Sequence, residues 1–94
     1  MYISVDEWGV WAPEGKVAHP EIEEKPWQIA PHLSEQVYTM EDSLLFASML
    51  MSFVRHSDRV KVACQSLLTN ISATIMTEKG GEVWVQPVFY PFSY

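Results

Sequence analysis

A short apolar run close to the first residue constrains this chain most, because it passes directly into two carboxylates and two tryptophans. The run spans residues 2–5, and Asp6, Glu7, Trp8 and Trp11 follow it. β-Forming side chains on both faces are typical of a strand buried in a parallel sheet. In a parallel barrel, side chains at the C-terminal ends of strands face the active site. The pattern therefore makes Glu7 a candidate catalytic nucleophile, although an exposed turn carboxylate has the same spacing.

Length and charge limit the classes of protein that this sequence can form. The 94 residues suffice for one small domain, and the net charge is −6 without a cluster of Lys or Arg. This charge argues against nucleic acid or an anionic membrane as a partner. The single cysteine, Cys64, excludes an internal disulfide and is compatible with a reducing compartment such as the cytoplasm. The opening residues lack the pattern that predicts a signal peptide, and no apolar run in these 94 residues is long enough to predict a membrane span.

The hydrophobic pattern predicts an α/β order of elements. A helix is expected over 39–56, where Thr39 and Asp42 form a capping-box pattern, and a second strand over 59–68. A proline-rich irregular stretch separates the first strand from this helix, and a Lys-Gly-Gly turn follows at 79–81. Residues 83–92 fit either a strand or the start of a helix. The order indicates a βαβ unit, which cannot cover both faces of its own strands and so resembles a slice of a larger sheet or barrel.

Other candidate residues each permit two interpretations. Trp8 and Trp11 could stack on a sugar ring, or they could pack in the core. His56 and Asp58 could form a catalytic relay, or they could cap the helix. Asn70 begins a glycosylation sequon but follows an expected buried strand. The three histidines are too scattered for a metal site of known spacing.

Four segments in succession resemble the α-L-arabinofuranosidases of glycoside hydrolase family fifty-one. The first is similar to the family's nucleophile strand, the second to a helix start, the third to a turn and the fourth to a Tyr-Pro-Phe segment. These segments are residues 3–11, 38–44, 55–61 and 89–92. The resemblance implies a partial (β/α)8 TIM barrel of about two βα units: strand 7, helix 7, strand 8 and the approach to helix 8. Residues 1–94 would be a single fragment of that catalytic barrel, with residues 12–38 as a long irregular loop on its active-site side.

The resemblance also implies an activity and its partners. It implies retaining hydrolysis of terminal α-L-arabinofuranosyl groups of arabinan or arabinoxylan, with Glu7 as nucleophile and no metal or cofactor. The acid/base glutamate of the family lies on an earlier strand, before the part of the barrel that this chain resembles, so we expect the chain alone to be inactive. The implied partners are an arabinose-containing oligo- or polysaccharide and either the remainder of a barrel or further copies in a homo-oligomer.

The resemblance assigns substrate contacts and also departs from the family pattern. Trp11 matches a family tryptophan near the leaving group, which makes it a substrate-binding candidate. Leu67 stands where the family has a glutamine, and Gln65, two residues earlier on the same strand face, is a second substrate-binding candidate. Two alternatives stay open: a non-catalytic carbohydrate-binding or interaction module, and one half of a split glycosidase.

Overall fold

A computed structural model describes residues 1–11, Trp27, Ile29 and residues 34–94. The expected irregular loop at residues 12–38 lies mostly outside the described residues and stays a prediction. The described strands and helices are, in chain order, β1 (Ile3–Trp8), α1 (Met40–Arg55), β2 (Val60–Gln65), β3 (Ile75–Thr77), β4 (Val83–Val85), a 3₁₀ turn (Pro87–Phe89) and α2 (Tyr90–Ser93).

Helix α1 begins where its capping residues predict. The Thr39 hydroxyl accepts a hydrogen bond from the Asp42 backbone N–H, while the Asp42 carboxylate accepts one from the Thr39 N–H at 2.7 Å. The two residues thereby satisfy N–H groups that a helix start leaves without partners. His56 ends the helix, and its backbone N–H donates to the carbonyls of the last turn. The predicted helix over 39–56 is confirmed to within one residue at each end.

Strands β1 and β2 pair in parallel, so the predicted βαβ connection is confirmed. The first strand was expected over residues 2–5, ending at Asp6 and Glu7, and this boundary was wrong because the strand spans Ile3–Trp8 and includes both carboxylates. The backbone explains the extension: the Ser66 N–H donates to the Trp8 carbonyl at 3.4 Å, which keeps the last residues of β1 paired with β2. The carboxylates therefore belong to the strand rather than to a following turn.

Residues 83–92, for which the sequence permits either a strand or the start of a helix, contain both: β4 comes first, and the 3₁₀ turn and the start of α2 follow it. Strands β3 and β4 form an antiparallel hairpin, and Gly80 adopts a φ of 72° in the turn between them. A left-handed φ is accessible to glycine without steric cost, which agrees with the turn predicted at 79–81. Pro87 then ends the extended backbone, since proline has no N–H to donate and suits the first turn of a helix.

One hydrophobic core joins β1, α1 and the C-terminal turn. Its buried members are Trp8, Tyr38, Phe46 and Val88, and part-buried apolar side chains of β1 and α1, together with Val10, pack around them. The core thus lies on one side of the parallel pair and fixes the end of β1 against the helix.

Other apolar side chains are left uncovered by the described residues. Helix α1 exposes Met40, Leu44, Met51 and Val54 along one stripe, and Val62 on β2 is also exposed. The described strands form two sheets of two strands each, so the α/β class is confirmed at the level of mixed helix and sheet. None of the helices that the structure describes is long and apolar enough to cross a membrane.

Candidate functional site

The end of β1 is irregular at the two carboxylates. Val5 pairs with Ala63 and Trp8 pairs with Gln65, so two residues of β1 oppose a single residue of β2. A bulge of this kind bends a strand and changes the direction of its side chains, and bulges are frequent beside active sites. Val5 and Trp8 both pack in the core, whereas the two intervening carboxylates are exposed. The irregularity therefore presents Asp6 and Glu7 together at the C-terminal end of a parallel strand.

The structure distinguishes the two carboxylates by their neighbours. The Asp6 carboxylate accepts a hydrogen bond from the Ser4 hydroxyl two residues earlier. Ser4 and Asp6 therefore lie on the same side of the strand. Glu7 is the carboxylate adjacent to the buried Trp8, and its side chain is exposed. Its role as nucleophile stays a prediction.

The two tryptophans have different environments. Trp8 is 5% exposed, and its ring packs against Phe53 at 5.0 Å between centroids in an edge-to-face arrangement and against Phe46 at 5.4 Å. The core-packing interpretation is therefore correct for Trp8. Trp11 is 52% exposed, and its ring lies beside the Gly9 backbone. Of the two rings at the end of β1, Trp11 is the one accessible to a ligand.

Gln65 lies opposite Trp8 in the sheet rather than opposite Glu7. Its amide N–H groups donate to the carbonyls of Ser66 at 2.7 Å and Ser72 at 3.0 Å. It also lines a mostly apolar cavity of about 270 Å³ together with Leu68, Thr74, Ile75, Phe89 and Phe92. The structure thus shows that the Gln65 side chain links the backbone at Ser66 to the backbone at Ser72. Its contact with substrate stays a prediction. The expected strand over 59–68 was too long, because β2 ends at Gln65. Leu67, which the resemblance places at the family's glutamine position, therefore lies beyond the strand and is 47% exposed.

The remaining candidates have local structural roles. The His56 imidazole Nδ1 lies 2.8 Å from the Ser52 carbonyl oxygen, one turn back in α1. Asp58 is exposed in the turn that follows. These positions agree with helix capping rather than with a relay. The Asn70 side chain is hydrogen-bonded to Thr77, whose backbone N–H donates to the Asn70 amide oxygen at 2.7 Å. Within the described residues, no three His, Cys, Asp or Glu side chains are grouped to hold a metal ion.

Two buried polar residues near the end of β1 were not singled out from sequence. The Tyr38 hydroxyl donates to the Val10 carbonyl at 2.9 Å. The Gln86 amide oxygen accepts the Tyr38 backbone N–H, also at 2.9 Å. Partners separated by 28 and 48 positions leave no local pattern, so only the tertiary structure identifies them.

Burial makes Tyr38 a weaker acid than an exposed tyrosine. The pKa of its hydroxyl rises from 10.0 to about 12, mainly through burial, with a lowering by a hydrogen bond to Ser72 and a further rise from the Asp42 charge. Because the folded state holds the proton more tightly, this contribution to stability is complete below pH 10 and is lost as pH rises toward 12.

We expect the Tyr38→Phe variant to show a flatter alkaline stability profile than the parent chain. The measurement is the urea unfolding midpoint at about pH 9 and about pH 11, where the parent should lose more stability than the variant. Other tyrosines and lysines titrate in both proteins and cancel in the difference. Equal losses in the two proteins would show that Tyr38 ionises at its ordinary pKa.

Comparison with known proteins gives this geometry its context. The sequence model of the "Alpha-L-arabinofuranosidase C-terminal domain" matches residues 6–94. An intracellular exo-alpha-(1->5)-L-arabinofuranosidase of Halalkalibacterium halodurans is 48% identical over 94 residues, which are 100% of this chain and 18% of that protein. A relative of the same description from Acetivibrio thermocellus is 44% identical over 95 aligned residues, covering 100% of this chain and 19% of its own length.

Solved structures of arabinofuranosidases also superpose on this chain. A family 51 alpha-L-arabinofuranosidase of Bifidobacterium longum superposes with a TM-score of 0.79 at 37% identity, over 98% of this chain and 18% of that one. An alpha-L-arabinofuranosidase of Thermotoga maritima, solved with arabinose, superposes with a TM-score of 0.70 at 26% identity, over 97% of this chain and 16% of that one.

The relatives and solved structures that the chain matches are glycoside hydrolases. The chain belongs to the alpha-L-arabinofuranosidase C-terminal domain family, within glycoside hydrolase family fifty-one, as its sequence resemblance implied. The chain spans about a fifth of the length of the relatives that it matches.

Proposed function

We propose that this chain is the nucleophile-bearing part of a retaining α-L-arabinofuranosidase, with Glu7 as the nucleophile. The observation that carries the proposal is the irregular end of β1, which exposes Glu7 beside the buried Trp8 at the C-terminal end of a parallel strand. This is the position from which strands of parallel α/β barrels present catalytic groups. Membership of an arabinofuranosidase family supports the same chemistry.

The proposed reaction uses two carboxylates about 5–5.5 Å apart. Glu7 attacks the anomeric carbon of a terminal arabinofuranosyl group, while the acid/base group, as a carboxylic acid, protonates the departing oxygen and becomes a carboxylate. Water, activated by the same acid/base group, then hydrolyses the covalent intermediate, so the anomeric configuration is retained. The acid/base group comes from polypeptide outside these 94 residues. Trp11 binds the leaving-group side of the substrate, and Gln65 is a second proposed contact.

The proposed architecture is part of a (β/α)8 barrel, with the exposed apolar surfaces covered by neighbouring units. The uncovered stripe on α1 and the exposed Val62 support this placement, because such surfaces are normally packed against other elements. The indole N–H of Trp8 is buried and has no hydrogen-bond partner in the part of the chain described here. Leaving such a group unpaired costs about 1–3 kcal/mol, so an acceptor from adjoining polypeptide would stabilise it. Because the proposed acid/base group lies outside these 94 residues, the chain alone is expected to be inactive.

The proposed substrates are arabinan, arabinoxylan and related oligosaccharides with terminal α-L-arabinofuranosyl groups. The relatives support an exo mode of action by their descriptions, which include exo-alpha-(1->5) and, for one from Bifidobacterium longum, exo-alpha-(1->6) arabinofuranosidase. Several of them are described as intracellular, and we propose the same location for this chain.

A graft tests the proposed function. Residues 1–94 replace the matching segment of the Halalkalibacterium halodurans relative, giving a protein that we call the grafted enzyme. We expect it to release nitrophenol from nitrophenyl α-L-arabinofuranoside, and we expect the isolated chain to release none. The unmodified relative is the positive control, and circular dichroism establishes that the graft is folded. A folded but inactive graft would contradict the proposed function, and activity of the isolated chain would contradict the need for other polypeptide.

The exposed ring of Trp11 also favours a second candidate, a non-catalytic carbohydrate-binding module. That candidate predicts binding of arabino-oligosaccharides by the isolated chain, unaffected by Glu7→Gln and lost with Trp11→Ala. Titration calorimetry on the two variants separates it from the catalytic proposal.

A further inference from the structure

The position of the Trp11 ring depends on the short backbone segment before it. A Cβ placed on Gly9 would lie 3.7 Å from the tip of the Trp11 indole and 3.8 Å from the Phe46 ring. The tip of the indole therefore lies close to Gly9, while about half of the side chain stays exposed. Any shift of the segment 9–11 moves the ring relative to Glu7.

A buried tyrosine holds this segment. The Tyr38 hydroxyl donates to the Val10 carbonyl at 2.9 Å, between Gly9 and Trp11. Tyr38 is 4% exposed, and its ring packs edge-to-face on Phe46 at 5.7 Å. Because the Tyr38 ring is packed, its hydroxyl has little freedom to move, and the hydrogen bond therefore fixes the position of the Val10 backbone relative to the core.

A buried amide in turn fixes Tyr38. The Gln86 side-chain oxygen accepts the Tyr38 backbone N–H at 2.9 Å. Its NH₂ group donates to the carbonyls of Gln36 and Ala73, each at 2.9 Å. Gln86 is 6% exposed, and its satisfied amide joins its own stretch of chain to two others, at residues 36–38 and at Ala73. Such a network is rigid only while all of its members are paired.

We propose that Tyr38, held by Gln86, is a positioning residue that places Trp11 for binding the leaving-group side of the substrate. The inference rests on the proposed function, since it assigns Trp11 its substrate. Neither Tyr38 nor Gln86 touches the reacting atoms. Their effect passes through the Val10 carbonyl to the exposed indole. A contact of this kind binds the ground state and the transition state alike, so its loss raises KM and leaves kcat unchanged.

The test is steady-state kinetics of the grafted enzyme on an arabino-oligosaccharide. We expect Tyr38→Phe to raise KM about three- to tenfold, the effect of one lost hydrogen bond, with kcat within about twofold. In a Trp11→Ala background the same substitution should leave KM unchanged, because no ring remains to be positioned. Gln86→Glu keeps the acceptor for Tyr38 but loses both donated bonds. It should raise KM in the same way and should add little to Tyr38→Phe. Tyr90→Phe, at an exposed tyrosine, is the matched control and should change neither constant.

Fluorine NMR provides a readout that does not depend on activity. With fluorotryptophan incorporated and the Trp11 resonance assigned through Trp11→Phe, we expect Tyr38→Phe to shift or broaden that resonance, and Tyr90→Phe to leave it unchanged. A moved resonance in an inactive graft would sustain the positioning of Trp11 while the proposed function fails. An unmoved resonance with unchanged KM, or a KM effect that persists without Trp11, would overturn the inference even if the graft is active.

Discussion

Glu7→Gln in the grafted enzyme is expected to lower kcat by on the order of 10³-fold or more, because an amide cannot form the covalent intermediate. Glutamine has nearly the shape of glutamate and sits at an exposed position, so folding should be unaffected. The measurement is kcat for nitrophenyl α-L-arabinofuranoside together with the thermal midpoint of each variant. A large loss of kcat at an unchanged midpoint separates a chemical role from a structural one.

Asp6 and Asp58 provide the matched controls for this substitution. Asp6→Asn tests the neighbouring carboxylate, which accepts a hydrogen bond from the Ser4 hydroxyl. We expect this variant to lose less kcat than Glu7→Gln. Asp58→Asn lies in the turn before β2, at the opposite end of that strand from Gln65, and we expect no change. A loss with Asp6→Asn that equals or exceeds the loss with Glu7→Gln would contradict the assignment of Glu7 as the nucleophile.

Phe46→Ala is expected to remove most of the stability of the isolated chain. Phe46 is fully buried, and its ring contacts those of Trp8, Tyr38 and Phe92 at 5.4, 5.7 and 6.2 Å between centroids. Truncating a buried phenylalanine costs about 3–5 kcal/mol through lost contacts and the cavity left behind. The net stability of a domain is only about 0.05–0.15 kcal/mol per residue, so at the low end of this range the loss equals the whole stability of the chain. The measurement is urea unfolding followed by far-ultraviolet circular dichroism.

Leu44→Ala is the control on the same helix. Leu44 is 60% exposed, and alanine keeps the helix propensity, so the free energy of unfolding should change by no more than about 0.5 kcal/mol. Equal effects of the two substitutions would mean that the aromatic cluster is not the core of the folded chain.

Local sequence patterns sufficed for the elements that depend on near neighbours. Helix α1 follows from the apolar pattern and from the pair Thr39 and Asp42, three residues apart, which complete a capping box within one turn. The parallel strands follow from their β-forming residues and from the helix between them. The turn at Gly80 follows from the need for a left-handed φ.

The detail of the site depends on tertiary contacts that such patterns do not contain. Strict alternation along β1 places Asp6 and Glu7 on opposite faces, but the irregularity between Val5 and Trp8 breaks the alternation. Whether a tryptophan is buried depends on what packs against it, which is why Trp8 and Trp11 could not be told apart. The hydrogen bonds of Gln86 connect stretches that are up to 50 positions apart.

The stereochemistry of azide rescue tests most directly whether Glu7 is the nucleophile. In the grafted enzyme, Glu7→Ala opens space at the anomeric carbon, and azide can attack there as the nitrophenolate leaves. A nucleophile at position 7 predicts that azide restores nitrophenolate release and that the product, identified by proton NMR, is the β-L-arabinofuranosyl azide of inverted configuration. The α-azide of retained configuration would instead show that another residue still forms the covalent intermediate, and it would contradict the assignment of Glu7.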